Sequence, residues 1–278
     1  MSAQRAGAKS GRGTLVIIGG HEDKEGARDI LREVARLNGD RPLVIATLAS
    51  HTREGYFESY QQGFADLGVG PLRELYLDER DDALQADTLD ILAGAGGIFF
   101  SGGDQLRITS LLAQTPLDDR VRALYDSGGV IAGTSAGASV LCETMLVSGH
   151  SDETYRVGEV QMAPGLGLMQ GVLIDQHFAE RGRMGRLLGA VALNPRALGI
   201  GLDEDTAIVV RGTTFEVIGQ GGVYVIDGAA VTHSNVAEAH AGDALSLHGT
   251  VLHVLSAGDQ FDLHRRAPLS AQDRTREP

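Results

Sequence analysis

The stretch GGVIAGTSAGA, from Gly128 to Ala138, reads as a buried strand running into a sharp turn and then a helix. Val130, Ile131 and Ala132 are apolar without alternation, the pattern of a strand covered on both faces. Ser135 falls where strand gives way to helix. Its neighbours, Gly133 and Gly137 among them, are small, as a tight turn with close backbone approach requires. A helix-forming stretch over 138–145 follows at once. Such a helix would aim free backbone N–H groups and a positive dipole end at whatever sits above Ser135. That placement favours a developing oxyanion. The G-x-S-x-G pattern also occurs in ordinary Gly-rich turns between strand and helix, so Ser135 is a candidate nucleophile only if partners accompany it.

Upstream of this stretch, strand and helix patterns alternate. Apolar runs predict strands over 14–20, 42–48 and 97–100, with a more polar strand over 72–77, and helical periodicity is expected over 27–37, 56–67, 87–92, 106–112 and 121–125. That rhythm predicts an α/β fold with a doubly wound, mostly parallel sheet. It changes after Met145. Residues 146–170 read as loop near the site, 172–178 as a strand and 183–193 as a helix. Short β runs over 207–211, 214–218, 223–226 and 251–255 follow, separated by Gly pairs and by Asp227 with Gly228. These are expected to finish the same sheet with antiparallel or mixed strands. There are no internal repeats. Residues 13–264 are read as one domain, with polar tails over 1–12 and 265–278.

Composition bounds the function. The 278 residues are enough for a large core, and 42% hydrophobic with 22% charged residues is a globular balance. The 38 glycines and the absence of Trp favour turn-rich α/β architecture over a helical bundle. A formal charge of −13 argues against nucleic acid and anionic membrane as partners. A single cysteine, Cys142, excludes an internal disulfide framework and reads as a buried structural thiol. No zinc-spaced His/Cys cluster is visible, so neither metal nor cofactor is expected. No segment is long and apolar enough to span a bilayer. The first twelve residues carry no apolar leader core, which places the protein in the cytoplasm as an expectation.

In open α/β sheets, ligands bind beyond the C-terminal ends of the strands. Four strand exits here are polar and Gly-rich: 19–23, 101–105, 133–135 and 175–177. If their strands are neighbours, the exits converge on one rim. A serine needs a base within hydrogen-bond reach, and His177, ending an apolar strand, is the best candidate of nine histidines; His253 lies in a peripheral late strand. The base needs an acid to fix its tautomer. Asp203, Glu204 and Asp205 offer one cluster, Asp152 and Glu153 another, and the sequence does not choose between them. Arg181, Arg183 and Arg186 follow His177 closely. They read either as guanidinium forks for a substrate carboxylate or as the exposed start of a helix paired to Glu180.

Five motifs stand in register: GGHEDK (19–24), SGGDQLR (101–107), GTSAGA (133–138), DQHF with its trailing arginines (from 175) and GLDEDTA (201–207). Together they resemble the cyanophycinases, of the serine peptidase family that also contains the aspartyl dipeptidase peptidase E. The resemblance runs from about Thr14 to Leu263. It implies a flavodoxin-like fold related to class I glutamine amidotransferases, and exopeptidase release of β-aspartyl-arginine dipeptides from cyanophycin, a poly-aspartate carrying arginine on its side chains. It also implies Ser135 as nucleophile, His177 as general base and Glu204 as orienting acid, with Glu153 in reserve. Gly103 and Ala136 are implied as oxyanion donors. Asp175, Gln176, Arg181, Arg183 and Arg186 match the substrate pocket, with Gln105 on its opposite wall. A homodimer is implied by the family alone, and the family also has extracellular members. Glu22 and Asp104 are further candidates to receive a substrate guanidinium. Two other functions stay open at this point: a dipeptidase like peptidase E acting on short aspartyl peptides, and a non-catalytic module binding aspartate-rich peptides. Amidotransferase chemistry is set aside because serine stands where it uses cysteine.

Overall fold

The computed structural model describes residues 12–53, 55–149, 156–158 and 160–270. The first half runs β1 (Thr14–Ile18), α1 (Asp29–Asn38), β2 (Leu43–Ala46), α2 (Tyr56–Gly63), β3 (Leu72–Leu75), α3 (Ala86–Asp90), β4 (Gly97–Phe100), α4 (Gln105–Leu112), α5 (Pro116–Asp126) and β5 (Val130–Thr134). One helical turn, α6 (Ala136–Ser139), follows Ser135. The second half runs β6 (Thr144–Ser148), β7 (Gln161–Pro164), β8 (Val172–Gln176), α7 (Met184–Leu193), β9 (Leu198–Leu202), β10 (Thr206–Arg211), β11 (Thr214–Gly219) and β12 (Val223–Asp227). Short strands complete it: β13 (His233–Ser234), β14 (Leu247–His248), β15 (Val251–Leu255), β16 (Gln260–Asp262) and β17 (Ala267–Pro268).

The main sheet has nine strands in the order β17-β16-β11-β10-β1-β5-β4-β2-β3. Its five-strand half, from β1 to β3, is parallel throughout, and β10, β11, β16 and β17 extend it antiparallel. The fold is thus mixed α/β, with a large sheet that combines a parallel half and antiparallel strands. β1, β2, β4 and β5 have almost no exposed side chain, which is why they read as continuous apolar runs. α1 lays Ile30, Leu31, Val34 and Ala35 on the sheet and stops at Gly39, whose φ of 67° a side chain would resist.

Three expectations are corrected. First, the helix expected over 138–145 is only the single turn α6. Met145 and Leu146 then enter different apolar clusters, as the two faces of a strand do, and β6 pairs with β7 inside the segment read as loop. Second, the later strands do not all finish one sheet: β15, β12, β9 and β8 form a second, four-stranded sheet, in which only β8 and β9 are parallel. Third, the polar tail does not begin at Arg265. β17 pairs with β16, and Arg266 reaches Asp227 at 2.5 Å. Cys142 is fully buried, and burial pushes its thiol up to about 12. Among the described residues, no helix is long and apolar enough to cross a membrane.

Candidate active site

β4, β5 and β1 are neighbours and parallel, so their exits share one rim: Gly102 and Gly103 after β4, Ser135 after β5, Gly20 and His21 after β1. Ser135 sits at φ 52° and ψ −113°, a conformation that a non-glycine residue keeps only when its surroundings impose it. Its N–H donates to the Ile18 carbonyl at 3.1 Å, and its own carbonyl accepts from Ala138 and Ser139. The flanking glycines allow this. A Cβ on Gly133 would stand 2.2 Å from the Gly137 carbonyl oxygen, and one on Gly137 would stand 2.2 Å from that of Phe100.

His177 comes from the other sheet, not from a neighbouring strand as convergence on one sheet would require. Its N–H donates to the Gly19 carbonyl at 2.8 Å, which ties the exit of β8 to that of β1. His177 also has a positive φ, 49°, as do His21 and Asp205 nearby. A Cβ on Gly20 would fall 2.2 Å from His177 Cε1, so glycine there makes room for the ring. Ser135 Oγ lies 2.8 Å from His177 Nε2, and His177 Nδ1 lies 2.7 Å from Glu204 Oε1. With the Nδ1 proton directed at the carboxylate, Nε2 is left to accept from the serine hydroxyl. Burial holds the His177 pKa below the ordinary histidine value; the Glu204 hydrogen bond opposes this, while Arg181 and His21 add to it.

The carboxylates that the sequence left open now separate. Asp203 accepts from the N–H of Ala179 and of Gly222, bracing two loops. Asp205 accepts from the N–H of Asp23. Among the described carboxylates, only Glu204, in the connection from β9 to β10, hydrogen-bonds His177. Asp152 and Glu153 lie outside the described residues. His253 is remote, packed edge-on against Phe261. Ala136 follows Ser135 directly, and Gly102, the residue before Gly103, comes so close that a Cβ on it would stand 3.4 Å from Ser135 Cβ.

The arginine segment divides. Arg183 and Arg186 are buried around Asp175, whose side chain is fully enclosed. Arg183 Nη1 donates to Asp175 Oδ1 at 2.9 Å and to the Gln176 carbonyl at 2.6 Å. Arg186 Nε stands 3.0 Å from Asp175 Oδ2, close enough for an ion pair though not aligned for a hydrogen bond. Burial pushes the Asp175 carboxyl up, against the pull of Arg186 and Arg183. Arg181 alone of the three is exposed. The side-chain amide of Gln105 donates to the Leu146 carbonyl at 2.5 Å and so anchors β6.

Glu22 does not await a guanidinium. It is 4% exposed and already meets Tyr60 Oη at 2.8 Å, Thr134 Oγ1 at 2.5 Å and Lys24 Nζ at 3.4 Å. It pins the residue immediately before Ser135. Asp104 caps α4 by accepting from Leu106 and Arg107, and stays half-open to solvent. One residue at the site escaped the sequence reading. His21 Nδ1 lies 3.1 Å from Glu204 Oε2, and its ring meets that of His177 edge to face at 5.2 Å. Its signal was the Gly-Gly that precedes it at a strand exit.

Comparisons with known proteins give the chain's family. The family model of peptidase family S51 matches residues 15–218. A cyanophycinase of Trichormus variabilis is 39% identical over 264 residues, covering 94% of this chain and 89% of its own. A cyanophycinase of Geminocystis herdmanii is 38% identical over 93% of this chain and 97% of its own. The crystal structure of a peptidase from an acI-B1 Actinobacterium shares the fold, with a TM-score of 0.65 at 24% identity over 90% of this chain and 97% of that one. With its family model matched from Leu15 to Ile218 and relatives near 39% identity along almost its whole length, the chain belongs to peptidase family S51.

Proposed function

We propose that this chain is a serine peptidase that hydrolyses cyanophycin, with Ser135 as nucleophile, His177 as general base and Glu204 as orienting acid. The observation that carries the reading is the unbroken chain from Ser135 Oγ through His177 to Glu204, at 2.8 and 2.7 Å. The substrate comes from the cyanophycinase relatives. His177 takes the hydroxyl proton as Ser135 Oγ attacks an aspartyl backbone carbonyl. The N–H groups of Gly103 and Ala136 receive the oxyanion. Protonated His177 then protonates the leaving amine, and water repeats the cycle on the acyl-enzyme.

The substrate-facing roles follow from what is already committed. Arg183 and Arg186 are paired with Asp175, so this buried group, with Gln176 and Gln105, shapes the pocket wall. Arg181, exposed beside His177, is the guanidinium that meets a substrate carboxylate. The parallel order β3-β2-β4-β5 reproduces the first four places of a flavodoxin-like sheet, with β1 in the fifth, which supports the fold label drawn from the resemblance. An apolar cluster shared by both sheets supports one domain from residue 13 onward, carried past 264 by the pairing of β17 with β16. A homodimer remains part of the reading and is checked by sedimentation.

Incubation of purified cyanophycin with wild type and with Ser135→Ala tests the assignment. Wild type should release β-aspartyl-arginine, and the variant should lose at least about 10³-fold in rate. A folded wild type that leaves the polymer intact but cleaves short aspartyl peptides would move the assignment to a dipeptidase.

A further inference from the structure

Glu204 carries an imidazole on each oxygen. Oε1 faces Nδ1 of His177 at 2.7 Å, and Oε2 faces Nδ1 of His21 at 3.1 Å. The acyl-transfer steps use the first contact and leave the second without a task. The three residues each offer one metal-binding atom, and these atoms all lie within 4.8 Å of one another. Zinc bonds of about 2.0–2.1 Å in a tetrahedron put neighbouring ligand atoms about 3.3–3.4 Å apart, so only small shifts are needed. His21 has the freedom for them, since its side chain is 72% exposed. Each ligand stands on a different loop, after β1, β8 and between β9 and β10, and each loop is tied to the next by backbone hydrogen bonds: His177 to Gly19, and Asp205 to Gly20.

We propose that a divalent transition metal, with zinc as the probe, binds between His21 Nδ1, His177 Nδ1 and Glu204 and holds the hydrolytic site off. Three protein ligands and a fourth position open to water is a coordination that zinc accepts. The chemistry of inhibition is a tautomer change. The metal takes the Nδ1 lone pair of His177, and the ring's single proton moves to Nε2. No proton is gained or lost overall when both imidazoles start neutral. Nε2–H then donates to Ser135 Oγ and is no longer a base. The two imidazole donors favour zinc and copper over magnesium and calcium, and zinc accepts a carboxylate oxygen beside them.

The inhibition arm rests on the function proposed above, and the binding arm does not. Zinc binding to the metal-free full chain is measured by calorimetry for wild type, His21→Ala and His21→Gln, with magnesium as control. Cyanophycin hydrolysis is titrated with zinc in parallel, each protein against its own metal-free rate. One zinc per wild-type chain is expected, with both substitutions weakening it at least about tenfold and raising the half-inhibitory concentration by the same factor. Cobalt in place of zinc should give the visible bands of a four-coordinate site in wild type, a readout that needs neither variant to fold nor activity. Wild type that binds no zinc, binds magnesium equally, or is matched by folded His21 variants overturns the site. Wild type that binds zinc as expected but leaves cyanophycin intact upholds the site and overturns the proposed function instead.

Discussion

His177 shows what a single residue's surroundings do to its chemistry. Burial keeps the ring neutral to lower pH than a free histidine, and Glu204 partly restores the proton's hold. Activity needs the neutral ring, so it is lost as pH falls through this lowered pKa. The acid limb of kcat/KM is therefore expected below the ordinary histidine value of about 6.5. Arg181→Ala removes a positive charge that disfavours protonation, so its limb should move to higher pH. Glu204→Gln removes a favourable partner, so its limb should move to lower pH while kcat falls about 10²- to 10⁴-fold. Shifts in the opposite senses, read from pH profiles of the three proteins, would contradict this electrostatic account. At this scale the sequence was readable where a residue's type and its place at a strand exit coincide, as for Ser135 and His177. It could not rank Asp203, Glu204 and Asp205. Three adjacent carboxylates have the same chemistry, and what separates them is the turn of the backbone: Asp203 and Asp205 are directed at N–H groups of neighbouring loops.

Elements position the site through close contacts that tolerate no added atoms. α6 approaches β4 so nearly that a Cβ on Gly137 would collide with the Phe100 carbonyl. Gly137→Ala must therefore displace either the turn that carries Ser135 or the strand beneath it. The expected cost is about 1–3 kcal/mol of stability, with a loss of kcat larger than that stability loss explains. Thermal denaturation and kinetics on the same preparation check this; a variant with wild-type kcat and Tm would show that the contact is slack. The buried Asp175 ties β8 to α7 through Arg183 and Arg186. Asp175→Ala leaves two guanidinium groups buried without their partner and should cost about 3–5 kcal/mol, seen as a lower urea midpoint. The sequence marked these arginines but not their partner, because a carboxylate two residues before a candidate base reads equally well as a substrate contact. The shortened helix after Ser135 has a similar origin. Residues 138–145 have good helix formers, but pairing of β6 with β7 and burial of Met145 and Leu146 in two different clusters override that preference.

Across the whole molecule, the reacting groups are divided between two sheets. Ser135 belongs to the large sheet, His177 to the small one, and Glu204 to the connection between them. Only local alternation of strand and helix was legible in the chain. A second sheet leaves no local mark, because β8, which opens with Val172, Leu173 and Ile174, and β9 are as uniformly buried as the central parallel strands of the first. What joins the sheets is a common core: Ile131 of β5, Ile174 of β8, Ile200 of β9, Val225 of β12 and Phe261 of β16 belong to one buried cluster. Hydrogen bonds from His177 to the Gly19 carbonyl and from the Gly221 N–H to Thr206 Oγ1 join their rims. Sheets that share a core in this way should unfold together. Urea unfolding of the full chain, followed by far-UV circular dichroism, by the fluorescence of its six tyrosines in the absence of Trp and by hydrolytic rate, is expected to give coincident transitions. The rate is the sensitive probe, because parting the sheets breaks the contact between Ser135 and His177 before either sheet need melt. Activity lost at a urea concentration that leaves circular dichroism and tyrosine fluorescence unchanged would mean that the sheets separate first. The shared core would then be too weak to act as one cooperative unit, and the pairing of serine with base would rest on the rim hydrogen bonds alone.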